Sequence, residues 1–360
     1  AGATLPSLAR THVSTPDAGI AASGVDVYVL IGASPPACGY LAGRRRRLRD
    51  DRTVDHELRE RAMRQGGVFT WQDVRACLLG ESAVRAAIRR GQVVRVRRDA
   101  YVLADLWFGA RPSERLALRT RAVLRARPGD VASHQSALAL HGLPIWGVPR
   151  DIVDVMADVS RTRTVSGLRV HAAPEGLEPV NIGGCRAVGI GEAVAQVAAR
   201  HGPVAALVPL DHALHERMCT VSGVRAAGDA LAPGGLGRAR FDAVLARADR
   251  ACESVGETRT RVILEDLGYA PASQVRLHDA EGFIGRVDFL IDDAVVVEFD
   301  GMVKYEGADG REALAKEKRR EERLTAAGCV VIRLVWSDLD HPERIRALVE
   351  SARQRVARRR

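Results

Sequence analysis

The chain holds 360 residues, 46% of them hydrophobic, and has a formal net charge of +9. That length exceeds what one core serves, and the apolar share excludes a mostly disordered chain. Positive charge favours a polyanion partner, but aromatics at only 4% argue against single-strand binding, which stacks bases on surface rings.

Where the charge lies says more than its total. Residues 51–110 have 11 Lys/Arg against 8 Asp/Glu and 111–250 have 18 against 13, whereas 251–360 have 19 against 21. The cationic excess is therefore N-terminal. The six cysteines, Cys38, Cys77, Cys185, Cys219, Cys252 and Cys329, form no CxxC pair, which points to reduced thiols in a cytoplasmic protein. No run of 18 apolar residues occurs, so neither a membrane-spanning helix nor a membrane partner is expected.

Residues 1–50 mix Gly, Ala, Ser and Pro and close on Arg44, Arg45, Arg46 and Arg47; they read as a disordered tail. From residue 51 the pattern changes. Helical spacing of Leu58, Ala62 and Met63 stops at Gly66 and Gly67. Thr70 can N-cap a second helix through Trp71, Val74 and Leu78. A third helix over 82–90 sets Val84, Ala87 and Ile88 on one face, and two short strands come next around a turn at Asp99. Three helices and a strand pair over 51–106 predict a winged helix-turn-helix. The third helix leaves Arg85, Arg89 and Arg90 outward, and the wing adds Arg95, Arg97 and Arg98. Residues 81–98 thus hold six arginines against one acid, Glu81, on the element that should enter a major groove, and these six are the expected DNA-binding residues.

The run RQGGVFTWQDVRACLLGESAVRAAIRRGQVVRVRRDAYVL resembles the winged-helix domain of abortive-infection type IV antitoxins. ASHQSALALHGLP at 132–144 resembles the segment beyond the winged helix in such proteins. The resemblance implies DNA binding and transcriptional autoregulation, with a toxin-like protein as a further partner.

The middle region, 107–250, is the least informative. Helical patterns fall at 116–124, 133–140 and 192–199, with strand-like runs at 152–156 and 168–170, which predicts a mixed α/β domain. His134 and His141 lie seven residues apart, but no third ligand is placed by spacing, so capping or core roles are expected. Asp211, His212 and His215 are read the same way.

Residues 251–360 show helix, three strands, helix, strand, helix, an α/β/α core. In the apolar strand ending Val296, Val297, Glu298, Phe299, Asp300, the two acids share a face because side chains alternate. Acids so placed need a positive charge between them, and a hard divalent cation such as Mg²⁺ supplies one. Asp288 on the preceding strand joins them only if the connection is odd in length. A two-residue turn at Asp292 and Asp293 would set Asp288 opposite Val297, whereas a loop over 292–294 sets it opposite Glu298.

The segments SVGETRTRVILEDLGY, GRVDFLIDDAVVVEFDGMVKY and EKRREERLTAAGCVVIRLVWSDL together resemble the domain of very-short-patch-repair endonucleases, a branch of the PD-(D/E)XK superfamily. The resemblance implies a restriction-endonuclease-like core with Glu257 as helix acid and with Asp288 and Glu298 as metal ligands. Asp300 stands where the superfamily has Lys, as a third ligand or water-orienting group, and Lys304 is the replacement cation. Lys316, Arg319, Arg320 and Arg323 share one face of the following helix. The expectation is a multi-domain α/β DNA-binding protein with an Mg²⁺-dependent endonuclease-like domain. Its alternatives are an antitoxin-like regulator whose nuclease fold has lost its chemistry, and a C-terminal domain that binds protein.

Overall fold

The first core forms where the periodicity places it. In the computed structural model, which describes residues 54–231, 235–301 and 309–359, α1 (His56–Arg64) ends at Gly66 and Gly67, whose φ of +72° and +84° turn the chain into β1 (Val68–Phe69). Thr70 and Asp73 form a capping box at the start of α2 (Trp71–Ala76). Helix α3 (Glu81–Arg89) comes next, then β2 (Val93–Arg97) and β3 (Ala100–Leu103), joined at Asp99 in the left-handed region. The sheet runs β1-β3-β2, so helices and wing stand in the expected order. Leu58, Ala62, Phe69, Val74, Val84 and Leu103 close the core. Leu78, expected inside the second helix, lies beyond its end and is exposed. Burial alone would raise the Asp73 carboxyl, but hydrogen bonds from Arg61 and Thr70 hold it below the usual carboxylate range. The Arg61 bond clamps α1 to α2.

Helices α4 (Ala104–Gly109) and α5 (Pro112–Ala126) lead into the middle region. There β4 (Val131–Ala132), α6 (His134–Leu140), β5 (Val153–Ala157), β6 (Arg163–Val165), β7 (Leu168–Ala172), β8 (Val180–Ile182) and β9 (Cys185–Ala187) build a six-stranded mixed sheet ordered β6-β7-β5-β4-β9-β8. Its core also takes in α7 (Ile190–His201), α8 (Pro203–His215), α9 (Val221–Leu231) and α10 (Leu236–Ala246). Strands β6, β8 and β9 are three residues each, too short for alternation to reveal them.

The C-terminal part opens with α11 (Val255–Asp266), then β10 (Ala272–Asp279), β11 (Gly282–Ile291), β12 (Val295–Phe299), α12 (Asp309–Ala326), β13 (Val330–Leu334) and α13 (Pro342–Arg359). The sheet runs β10-β11-β12-β13, antiparallel until β13 joins β12 in parallel. Phe289, Ile291, Val295 and Val297 pack on the side of α11 and α13, while Leu290 and Val296 pack with Leu324 of α12.

Of the boundaries expected at 106/107 and 250/251, the first falls inside α4 and the second between α10 and α11, and packing crosses both. Ala122 of α5 packs with Val68, Ala100 and Val102 of the winged helix, and its neighbours Val123 and Leu124 belong to the middle core. Likewise Val262 of α11 lies in the middle core and Leu264 in the C-terminal one. Arg261 of α11 reaches Asp211 of α8 at 2.8 Å, both nearly closed to water. The five described cysteines are unbridged and Cys38 lies outside the described residues, as does the tail expected over 1–50. Among the described residues, no helix is long and apolar enough to cross a membrane.

Helix α11 approaches β12 where Gly256 meets Phe299. A Cβ on Gly256 would stand 2.0 Å from the ring. Gly256→Ala is therefore expected to destabilise the chain by about 2–3 kcal/mol in urea unfolding, the range for overpacking a filled core; an unchanged midpoint would contradict this packing.

Candidate nucleic-acid interface and acid row

The basic surface is built first by α3 and the wing. Val84 of α3 is buried, with Ala87 and Ile88 packed against the same core. This rotates Arg85, Arg89 and Arg90 into the exposed class, and Arg95 and Arg98 of the wing are exposed too. Arg85 pairs with Glu81 at 2.6 Å, one turn back, with both side chains two-thirds exposed. A recess of about 540 Å³ lies between α3 and the wing, lined among others by Trp71, Arg85, Ile88, Arg95 and Arg98. The Trp71 N–H donates to Asp99 at 2.5 Å, which ties the wing turn to the start of α2. Arg97 differs from the other five. Its Nη1 donates to the carbonyls of Val165 and Ser166 at 2.8 and 2.6 Å, and the residue is half-buried. It anchors the wing to the β6–β7 turn, a contact that its place in the sequence does not announce.

In the C-terminal sheet the connection between β11 and β12 is the odd one. Ile291 pairs with Val295 and Phe289 with Val297, so residues 292–294 form the loop, with Asp292 and Asp293 at φ of +50° and +59°. Carrying that register forward sets Asp288 opposite Glu298. The same level extends both ways: Gln274 falls opposite Asp288, between the pairs Ser273–Phe289 and Val275–Val287, and Glu298 pairs with Arg333. A polar row, Gln274, Asp288, Glu298 and Arg333, thus crosses an apolar sheet.

Hydrogen bonds within that row separate its members. Asp288 accepts from the Phe299 N–H at 2.9 Å and from Gln274 at 3.5 Å. Gln274 Nε2 also donates to Glu257 at 2.8 Å. Glu257 accepts from the Glu253 N–H at 2.9 Å, while its own N–H is capped by Ser254. It therefore closes the first turn of α11, while Arg261, one turn further on, pairs with Asp211 and Glu265. Glu298 is bound by Arg320 of α12, with Arg333 at 3.8 Å. Asp300 is exposed, past the end of β12, with its N–H on the Leu334 carbonyl at 2.8 Å. Lys304 lies outside the described residues. Gln274 is not among the expected site residues. In sequence it is one polar residue in a mixed strand, and only the register brings it to Asp288.

These residues do not fit a divalent cation as arranged. Glu257, Asp288, Glu298 and Asp300 do not form a group of three whose ligand atoms lie within 4.8 Å of one another. Glu298 already has two guanidiniums, and Mg²⁺ needs near-octahedral oxygen donors at about 2.1 Å. Another expected cation of α12 is engaged as well: Arg323 binds Asp279 at 2.5 Å and the Phe283 carbonyl at 3.1 Å.

Among the described residues, one group does meet that spacing: His134, Asp154 and His171, all buried. They come from α6, β5 and β7, which is why the pair His134 and His141 gives no hint of it; His141 instead binds the Val188 carbonyl at 3.0 Å. Asp154 ties two of its members, itself and His171, into a hydrogen-bonded network. Asp154 binds His171 at 2.6 Å, Arg169 at 3.2 Å and Gln135 at 2.6 Å. The two imidazoles stack with centroids 4.1 Å apart and planes 21° from parallel. Burial and the neighbouring His171 push His134 down to about 3, so it stays neutral.

Burial pushes Asp288 up from 3.8 to about 6, with Glu257 and Glu298 adding to it against the Phe299 N–H. Its folded value lies above the unfolded one, so its stabilising share is full below about pH 4 and is lost as pH rises towards 6. Asp288→Asn removes that loss. In urea unfolding the variant should gain about 2 kcal/mol on the wild type between pH 4 and pH 7 and nothing beyond; a difference constant over that range would contradict the buried, acid-flanked setting.

Residues 56–104 match the model of a family described as transcriptional regulator, AbiEi antitoxin. The matched segment begins at α1 and ends just past β3, so it covers the winged helix and no more. No curated protein matches the chain.

Proposed function

We propose that the chain is a DNA-binding transcriptional regulator of the antitoxin kind, and that its C-terminal domain keeps a nuclease-like layout without hydrolysing DNA. The observation that carries this reading is the set of exposed arginines on α3 and the wing, within the segment that matches the regulator family. On this reading α3 enters a major groove. Arg85 and Arg89 face base edges, where a guanidinium bonds both acceptors of guanine. Arg95 and Arg98 meet phosphates and contribute salt-dependent affinity. Asp99 and Arg97 hold the wing at a set angle to α3 without touching DNA. A toxin-like protein is the expected second partner.

Hydrolysis is the competing reading, and the register that sets Asp288 opposite Glu298 is what favours it. Against it stand the guanidiniums on Glu298 and the cap role of Glu257.

Gel-shift titration tests the first reading. Arg85→Ala/Arg89→Ala is expected to weaken binding at least about tenfold, since each bidentate base contact is worth roughly 1–3 kcal/mol, whereas Arg97→Ala changes it far less. Undiminished binding by the double variant would reject the groove role of α3. Supercoiled DNA incubated with Mg²⁺ and the full chain is expected to stay intact. Nicking that Asp288→Ala/Glu298→Ala abolishes would establish hydrolysis instead.

A further inference from the structure

In the acid row, a cation of the chain's own stands beside Glu298. We propose that Arg320 is the resident counter-cation of the C-terminal acid site, occupying the side of Glu298 that a divalent ion would need. The inference rests on reading this domain as non-hydrolytic and is independent of DNA binding by α3.

Four observations converge. Arg320 binds Glu298 through both terminal nitrogens, Nη2 to Oε1 and Nη1 to Oε2, the fork geometry that distinguishes Arg from Lys as a carboxylate partner. The two side chains are only 19% and 15% exposed, so the pair is shielded from water and salt. Both terminal nitrogens of Arg320 have further partners: Nη2 donates to the Arg286 carbonyl at 3.2 Å and Nη1 to Glu317 at 3.1 Å. Finally, the strand makes way for it. Gly285 lies under the guanidinium, and a Cβ there would sit 2.7 Å from Arg320 Nε.

Arg333 reinforces the arrangement from the neighbouring strand. It reaches Glu298 at 3.8 Å and Glu317 at 2.6 Å, so Glu298 and Glu317 share two guanidiniums between β12, β13 and α12. A divalent ion approaching Glu298 would have to displace a bidentate partner and set its own charge beside two guanidiniums, Arg320 and Arg333. The domain thus keeps the carboxylates of a metal site while supplying their charge internally.

Mn²⁺ titration of the full chain, monitored by the loss of the free-ion electron paramagnetic resonance signal, tests this. Wild type is expected to show no stoichiometric Mn²⁺ site. Arg320→Gln is expected to acquire one, at least about tenfold tighter than any wild-type binding, and adding Glu298→Gln to it should remove that site. Circular dichroism melting checks that each variant is folded. A folded Arg320→Gln that gains no Mn²⁺ would overturn the proposal. Should that variant fail to fold, the wild type decides alone: one Mn²⁺ per chain, lost on Glu298→Gln, overturns the proposal, and its absence upholds it. Neither result alters the expectation for the Arg85 and Arg89 variants, so the two readings fail separately.

Discussion

A carboxylate set into an apolar sheet must find a positive charge, and which charge it finds decides what the domain around it can do. Glu298 finds Arg320 and Arg333. That pairing goes with the small residue at Gly285, under the Arg320 guanidinium, and with the seating of α12 on β11 through the Arg286 carbonyl. Arg323 repeats the pattern with Asp279 at the far end of the β10–β11 hairpin. The C-terminal domain is nearly neutral because its 19 Lys/Arg stand against 21 Asp/Glu, and Arg320, Arg323 and Arg333 are paired with its own acids.

The winged helix divides its charges the other way. Acids there serve structure: Asp73 clamps α1 and caps α2, and Asp99 ties the wing turn to Trp71. The arginines of α3 and the wing stay exposed, Arg97 excepted. Two helices link the three cores. Helix α5 belongs to the winged-helix and middle cores, and α11 to the middle and C-terminal cores. Through α11, the residue that reaches Gln274 in the acid row, Glu257, and the residue that reaches α8, Arg261, sit one helical turn apart. The three cores are thus linked by shared helices.

Local chemistry is legible in the sequence where it acts over a few residues. The glycine stop after α1, the Thr70 cap, the turn at Asp99 and the apolar face of α3 can all be read directly, and they specify the winged helix. An odd loop at 292–294 is a condition on the acid pair that the sequence itself poses, and the register meets it. The hidden part depends on which distant element arrives. Arg320 reads as one cation in a charged helix, and nothing in its spacing points to Glu298. Gln274, silent in sequence, and the His134, Asp154 and His171 network need strand register or three separate elements to meet. Arg97 teaches the same lesson: an arginine in a basic wing reads as a phosphate contact until a neighbouring hairpin offers it two carbonyls.

The proposed DNA surface is the set of exposed arginines on α3 and the wing. It is tested most directly by the slope of log binding constant against log salt concentration, which counts the phosphates neutralised. The wild-type chain is compared with a variant in which Arg85, Arg89, Arg95 and Arg98 are all alanine. The account predicts that the variant's slope collapses towards zero along with its affinity. A variant that keeps the wild-type slope would place the DNA contact elsewhere and contradict the account.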